Sequence, residues 1–268
     1  MARTVLMGWV LLALAGTSAR ADWDEGDPLK MHFPQLPDLT GTGVGVLATQ
    51  PGETSWLLTA DDWECSQTGP VKEIHIWGLW LNEDLEQVPP CHPLDIDLYI
   101  YENVEAGADG IPYSRPGSQL WTMHFGAADH SSRLYGVADE WLLGPDGIFF
   151  VGQTEVWQHN FLVSDGQAFV QHEGEIYWLG VQKRLNPENG VHFLWESSLD
   201  YFEDNAVWWH SSTVTWGPLP YPPPHPLEGQ PINLAFVITP EPATLALIGL
   251  GLAGLALGSG RRAARRRR

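Results

Sequence analysis

Apolar residues recur along this chain either with period two or in short continuous runs, and both patterns predict strands. Residues 95–102 (DIDLYIYE) alternate. Ile96, Leu98 and Ile100 face one way, and Asp95, Asp97, Tyr99 and Tyr101 face the other. Residues 71–81 (VKEIHIWGLWL) are apolar on both faces and rich in β-branched and aromatic side chains, which predicts a central strand. Further strands are expected over 119–125, 155–163, 175–183, 192–196, 206–211 and 232–238, with weaker ones over 44–48 and 55–58. Gly, Pro, Asn and Asp clusters at 105–112, 115–118, 144–147, 164–167 and 186–190 supply the turns between them. Residues 216–226 (WGPLPYPPPHP) hold too much proline for a central strand and read as an extended surface loop. Residues 22–43, rich in Asp, Pro and Gly, should wrap the outside before the first strand. No amphipathic helix, fixed-period repeat or linker interrupts this body. The expectation is an all-β single domain over 22–238, a β-sandwich or jelly roll.

The two ends follow different rules. Arg3 precedes an apolar run from Val5 to Ala15, and Ala19-Arg20-Ala21 fits an A-x-A cleavage site. Residues 1–21 therefore read as a secretory signal peptide removed by signal peptidase, with the mature chain starting at Asp22. At the other end, residues 243–260 are 18 residues without a charge. As a helix they would reach roughly 27 Å, close to the thickness of a bilayer core. Arg261, Arg262 and Arg265 to Arg268 follow and should stay cytoplasmic. Pro240 and Pro242 bracket Glu241 and keep that segment extended and open to a protease.

The Pro-Glu-Pro triplet, the span and the arginine end together resemble the PEP-CTERM sorting signal, here residues 239–268. The resemblance implies an exosortase-type partner acting near Pro240, Glu241 and Pro242. It also implies a precursor anchored in the inner membrane with its body in the periplasm, later moved to the cell surface or extracellular matrix. An ordinary membrane anchor is the alternative. Within the body, the phrases ADDWEC (60–65), IHIWG (74–78), YSRPG (113–117), IYWL (176–179) and DNAVW (204–208) resemble an uncharacterised domain of bacterial secreted proteins that commonly precedes such tails. That resemblance implies one exported domain and carries no activity.

Charge narrows the partners. The chain has 14 Lys and Arg and 33 Asp and Glu. Two arginines lie before residue 22, and six arginines with Glu241 lie in the tail. The body therefore keeps 6 basic and 32 acidic residues, a net charge of −26. Such a surface repels nucleic acid and anionic lipid; it is either a recruiter of hard cations such as Ca²⁺ or a solvated acidic surface suited to saline surroundings. Asp22, Asp24 and Asp27 (in DWDEGD) form a candidate Ca²⁺ loop, although Phe33 stands where an EF-hand would place glutamate. Asp61-Asp62 and Glu203-Asp204-Asn205 are further candidates, which turn and cap hydrogen bonding would equally explain. No cofactor other than Ca²⁺ is suggested.

Cys65 and Cys91 lie in the exported body, where an oxidising compartment favours a disulfide. Thirteen of the 14 tryptophans lie beyond residue 21. Trp77, Trp80 and Trp178 sit in apolar strands and should be core. Trp121, Trp157, Trp208 and Trp209 are candidates for stacking on sugar rings, with Trp208 and Trp209 on opposite faces of one strand. His75 and His124 sit in strands and read as hydrogen-bonded structural residues. No catalytic nucleophile motif, HExxH or phosphate-binding Gly loop is present. The leading expectation is a non-enzymatic, exopolysaccharide-associated envelope or matrix protein. The alternatives are a secreted glycan hydrolase using an Asp/Glu pair and a purely structural envelope protein.

Overall fold

The computed structural model describes residues 22–50, 57–90, 94–126, 130–184, 190–211 and 215–240. The expected signal peptide with Ala19 and Ala21, Cys91, Glu241, Pro242 and the membrane helix 243–260 lie outside these residues. Among the described residues no helix is long and apolar enough to cross a membrane.

The described chain is all-β apart from one 3-10 turn at Ala108–Gly110. Its strands run β1 (Gly43–Leu47), β2 (Leu57–Glu64), β3 (Gly69–Pro70), β4 (Glu73–Leu81), β5 (Ile96–Val104), β6 (Arg115–Phe125), β7 (His130–Gly144) and β8 (Gly147–Leu162). They continue as β9 (Val170–Gln171), β10 (Ile176–Lys183), β11 (His192–Ser198), β12 (Val207–His210), β13 (Trp216–Pro218), β14 (Asn233–Leu234) and β15 (Phe236–Thr239). Six strands form one sheet in the order β13-β12-β2-β10-β5-β6. Seven form the other, in the order β14-β11-β1-β7-β8-β4-β15, and β11 also pairs with β4. That extra pairing closes β11, β1, β7, β8 and β4 into a ring.

Strand β4 explains the closure. All nine of its residues are buried, as its two-faced apolar pattern predicts. It pairs with β8 along one edge and with β11 along the other, but the β11 pairing covers only Gly78 to Leu81. Beyond Gly78 the two strands part, and residues 233–239 fill the wedge. Asn233 and Leu234 pair with β11, Phe236 to Thr239 pair with β4, and Ala235 bridges both. The Ala235 amide donates to Glu196 O, and its carbonyl accepts from Trp77 N. The junction is tight enough to require glycine. A Cβ on Gly78 would lie 2.3 Å from Phe193 Cε2 and 2.4 Å from the Leu194 carbonyl oxygen.

One hydrophobic cluster takes side chains from both sheets, which makes the body a single domain. Ile96, Leu98 and Ile100 of β5 enter it, as their alternation predicts. So do Trp63, Trp77, Trp80 and Trp195, each fully buried. Several indole N–H groups find buried acceptors. Trp63 donates to Gln171 Oε1, Trp80 to His159 Nε2 and Trp195 to Ala235 O. Much of the tryptophan excess is therefore core material.

Three expectations need correction. The proline-rich run over 216–226 is not simply a surface loop. Trp216–Pro218 is an edge strand on β12, Tyr221 and His225 are buried, and Tyr221 N bonds Gln230 O. Edge position suits a proline, which has no N–H to give to a second neighbour. Residues 115–118, expected as a turn, instead begin β6, again at a sheet edge where Pro116 is tolerated. The third correction is β7, a strand of 15 residues that the pattern did not predict. Bulges between Leu134 and Gly136 and between Glu140 and Trp141 shift its pairing with β8. Each bulge changes which residues face inward, so the period-two signal breaks.

Candidate functional site

The six-stranded sheet turns one face to the shared core and the other away from it. Leu98 and Ile100 of β5 enter the core, and Tyr99 and Tyr101 point to the opposite, outward face. The outward set forms its own cluster of Ala60, Tyr101, Trp178 and Val207, with Leu58, Tyr99 and Trp216 packed on it. The register explains the grouping. Val207 lies beside Ala60, Ala60 beside Gly180, and Gly180 beside Tyr99, so one row crosses β12, β2, β10 and β5. Trp209 lies beside Leu58 and Trp216 in the adjoining row.

Small residues shape the middle of this face. A Cβ on Gly180 would meet Tyr101 Cε2 at 3.0 Å and Tyr99 Cβ at 3.2 Å. The tyrosines therefore lie over the bare glycine backbone. Tyr99 and Tyr101 stack with centroids 6.0 Å apart, and Trp216 meets Tyr101 edge-on at 5.8 Å. Tyr113 donates to the Trp216 carbonyl at 2.9 Å and fixes that edge. Burial raises the pKa of both Tyr99 and Tyr101, so both rings stay neutral phenols in ordinary buffers.

A polar network borders the aromatic row. Asp97, on the same face as Tyr99, is buried, and its Oδ2 accepts from Arg184 Nε at 2.6 Å. Its Oδ1 accepts from Arg184 Nη2 at 3.2 Å and lies 2.9 Å from His124 Nδ1. Asp95 Oδ1 lies 3.5 Å from His124 Nε2. The hydrogen bond to Asp97 raises the pKa of Arg184 further and keeps it charged. Gln182 accepts from Tyr99 Oη at 3.4 Å and donates to Leu57 O. His124 is thus hydrogen-bonded, as expected, and so is His75, whose Nδ1 lies 2.7 Å from Asn160 Oδ1. The face combines flat apolar rings with fixed donors and acceptors, which suits binding a ring-shaped polar ligand.

The four candidate tryptophans do not converge. Trp209 alone joins this face. Trp208, beside Thr59, packs against the main core, as does Trp121, whose Nε1 donates to Gln167 O. Trp157 lies in the other sheet and donates to Glu155. All four are half-buried. Tyr99, Tyr101, Trp216, Gln182 and Arg184 were not singled out as site residues. The alternation of 95–102 had nevertheless placed Asp97, Tyr99 and Tyr101 on one face.

The acidic candidates behave differently from a Ca²⁺ loop. Arg133 binds Asp24 at 2.6 Å and lies 3.8 Å from Asp22, Asp22 accepts from Asn160, and Asp27 caps Asp24 N. A guanidinium held between the carboxylates neutralises them. Among the described residues no three His, Cys, Asp or Glu side chains are placed to hold a metal ion. Asp61 is buried on the core side of β2 and accepts from Gln35 Nε2 at 2.9 Å and Leu234 N at 2.6 Å. Burial pushes its pKa up to about 8. Asp62 points to the outer face, and burial followed by the charges of Asp61, Asp204 and Glu203 holds it well above the usual carboxylate range. The two acidic phrases are therefore neighbours in space. Cys65 is a buried free thiol that donates to Gln67 O, and burial raises its pKa. The expected Cys65–Cys91 bridge is thus not formed at Cys65, and Cys91 lies outside the described residues. Pro240 ends the described chain directly after β15.

A cavity of about 300 Å³ opens at the end of the aromatic face, lined by Glu102, Asn103, Glu105, Glu175, Ile176 and Tyr177. Residues 31–239 match the model of a family described as a domain of unknown function (DUF7901). No curated protein and no solved structure matches the chain.

Proposed function

The chain belongs to the DUF7901 family, and from that premise we propose that it is an exported envelope or matrix protein whose aromatic sheet face binds polysaccharide without cleaving it. The observation that carries this reading is the set of half-buried rings Tyr99, Trp209 and Trp216, two of them packed on the buried Tyr101 cluster, beside the Asp97–Arg184–His124 network. Sugar rings present apolar faces to aromatic rings and hydroxyls to the polar border. Titration of the protein with the host's exopolysaccharide tests it. Tyr99→Ala and Trp209→Ala should each weaken binding by about tenfold, equivalent to roughly 1.4 kcal/mol. Absence of binding in the unsubstituted protein would leave a purely structural envelope role.

A hydrolase reading gains less support. A glycosidase acid needs a carboxyl kept protonated in its cleft. In the cavity beside the face, Glu102 moves the other way, because Ser118 donates to it through both its hydroxyl and its amide.

We also propose that residues 239–268 act as a PEP-CTERM tail. Its attachment supports this. Thr239 pairs with Glu73 at the end of β15, and only Pro240 separates that strand from Glu241. Asp22, the mature start that signal-peptide cleavage would leave, lies near the same end of the sheet, because Asn160 binds Asp22 and also meets His75, which reaches Thr239. Intact-mass analysis of cell-associated protein should give a chain shortened at the Pro-Glu-Pro triplet. Recovery of only the full-length chain from the surface would overturn the tail assignment.

A further inference from the structure

The body carries only six cationic side chains, and each is already held by an oxygen acceptor. Arg184 is bound to Asp97, Arg133 to Asp24, Arg115 to Asp109, and Lys72 to Asp165. Lys30 donates to Pro70 O and Lys183 to Arg184 O. Against these stand 32 carboxylates. A uronate or otherwise anionic polymer would meet a repulsive field and only cations already bound to acceptors.

The aromatic face has acidic ground at both ends. Asp95 and Asp97 border Tyr99 at one end. At the other, Asn103 and Ile176 lie two residues beyond Tyr101 and short of Trp178, so they continue the same face along β5 and β10. Trp178 Nε1 donates to Asn103 Oδ1 at 2.8 Å and ties the two strands there. Beside Trp178 in the same outward row stands Asp62, which is buried, and neither of its carboxyl oxygens has a hydrogen-bond partner among the described residues. Asn103 and Ile176 both line the 300 Å³ cavity, whose charged walls are Glu102, Glu105 and Glu175. All three glutamates are exposed. A cavity of that size is at the lower end of the range for small-ligand sites. Three exposed carboxylates around one cavity attract an ammonium group by charge.

Building on the glycan-binding reading above, we propose that this face selects amine-bearing glycans, with the sugar rings on the half-buried Tyr99 and Trp209 and an ammonium group in the Glu102–Glu105–Glu175 cavity. Neutral sugars would use the rings alone, and acidic sugars would be excluded.

The test uses the purified protein and three soluble probes of equal length: a glucosamine oligomer, its N-acetylated counterpart and a galacturonate oligomer. At mildly acid pH and low salt, the glucosamine oligomer should bind about tenfold more tightly than the N-acetylated one. Added salt should shrink that preference, and the galacturonate oligomer should not bind. Replacing Glu102, Glu105 and Glu175 together by Gln should remove the preference while leaving N-acetylated binding unchanged. Tyr99→Ala should weaken both. Equal or tighter binding of the N-acetylated or galacturonate probe would overturn the amine selectivity and leave glycan binding standing. Failure of all three probes would count against both readings. Amine binding that survives both sets of substitutions would reduce to attraction by net charge and overturn the site. The three glutamates are exposed, so their substitution tests the cavity even if Tyr99→Ala fails to fold.

Discussion

The thermal midpoint should fall by about 10 °C between pH 6.5 and pH 8.5. The cause is a set of buried carboxyls. Burial pushes Asp61 and Glu140 up to about 8 and Glu73 up to about 7, and holds Asp62 and Glu196 well above their usual range. The Glu140 charge adds to the upward shift of Glu196. In each case the folded pKa lies above the unfolded one. The folded state then holds protons that the unfolded state has released, and stability declines as pH rises through about 7 to 8.

Histidines act in the opposite sense but lower down. Burial depresses His32 and His75 to about 4 and lowers His192 and His225. Their unfolded forms take up protons below about 6.5, so they oppose stability only as pH falls beneath that value. Above about pH 6.5 the buried carboxyls set the direction of the change. Their summed effect, cut for solvent screening and relaxation, is about 3 kcal/mol. For a domain of this size that corresponds to roughly 10 °C. Melting curves followed by circular dichroism at the two pH values check this. A midpoint that is level or higher at pH 8.5 would show that these carboxyls are ionised in the fold.

Asp61→Ala should destabilise the protein by about 3 kcal/mol, because two buried donors lose their acceptor at once. Those donors are Gln35 Nε2, from the segment before β1, and Leu234 N, from the strand that fills the wedge between β4 and β11. One carboxyl thus fastens two chain segments to β2. Asp61→Asn should behave differently. Its amide oxygen can still accept both hydrogen bonds, and it cannot ionise. At pH 6 it should cost little, and at pH 8.5 it should be more stable than the parent. Denaturant unfolding of both variants at both pH values checks the pair. Equal losses for Ala and Asn at both pH values would show that the charge, and not the hydrogen bonds, matters at this position.

These residues also show how far the sequence could be read. Strand existence was legible where alternation was unbroken, as in 95–102, or where both faces were apolar, as in 71–81. It failed at β2, where Asp61 and Asp62 sit inside a strand yet are buried. Carboxyls in such a place violate the usual inside–outside pattern, and Asp61 is held by partners 26 and 173 residues away. It failed again at β7, where bulges broke the period. For the candidate site, tryptophan content pointed to four residues and found one of the face's aromatics, Trp209. The others needed the strand order.

Local order therefore specified the segments that extend with an unbroken pattern, several of the turns between them, how acidic the body is and which side of β5 carries its tyrosines, since these depend on neighbouring residues and on a period of two. It did not specify that Trp216 would meet Tyr101, that Ala60 and Gly180 would clear the space beneath them, or that residues 233–239 would close the ring between β4 and β11. Those outcomes depend on register between strands far apart in the chain. Only packing of both sheets on one core selects that register, because a shift of one residue would turn every side chain of a strand to its other face.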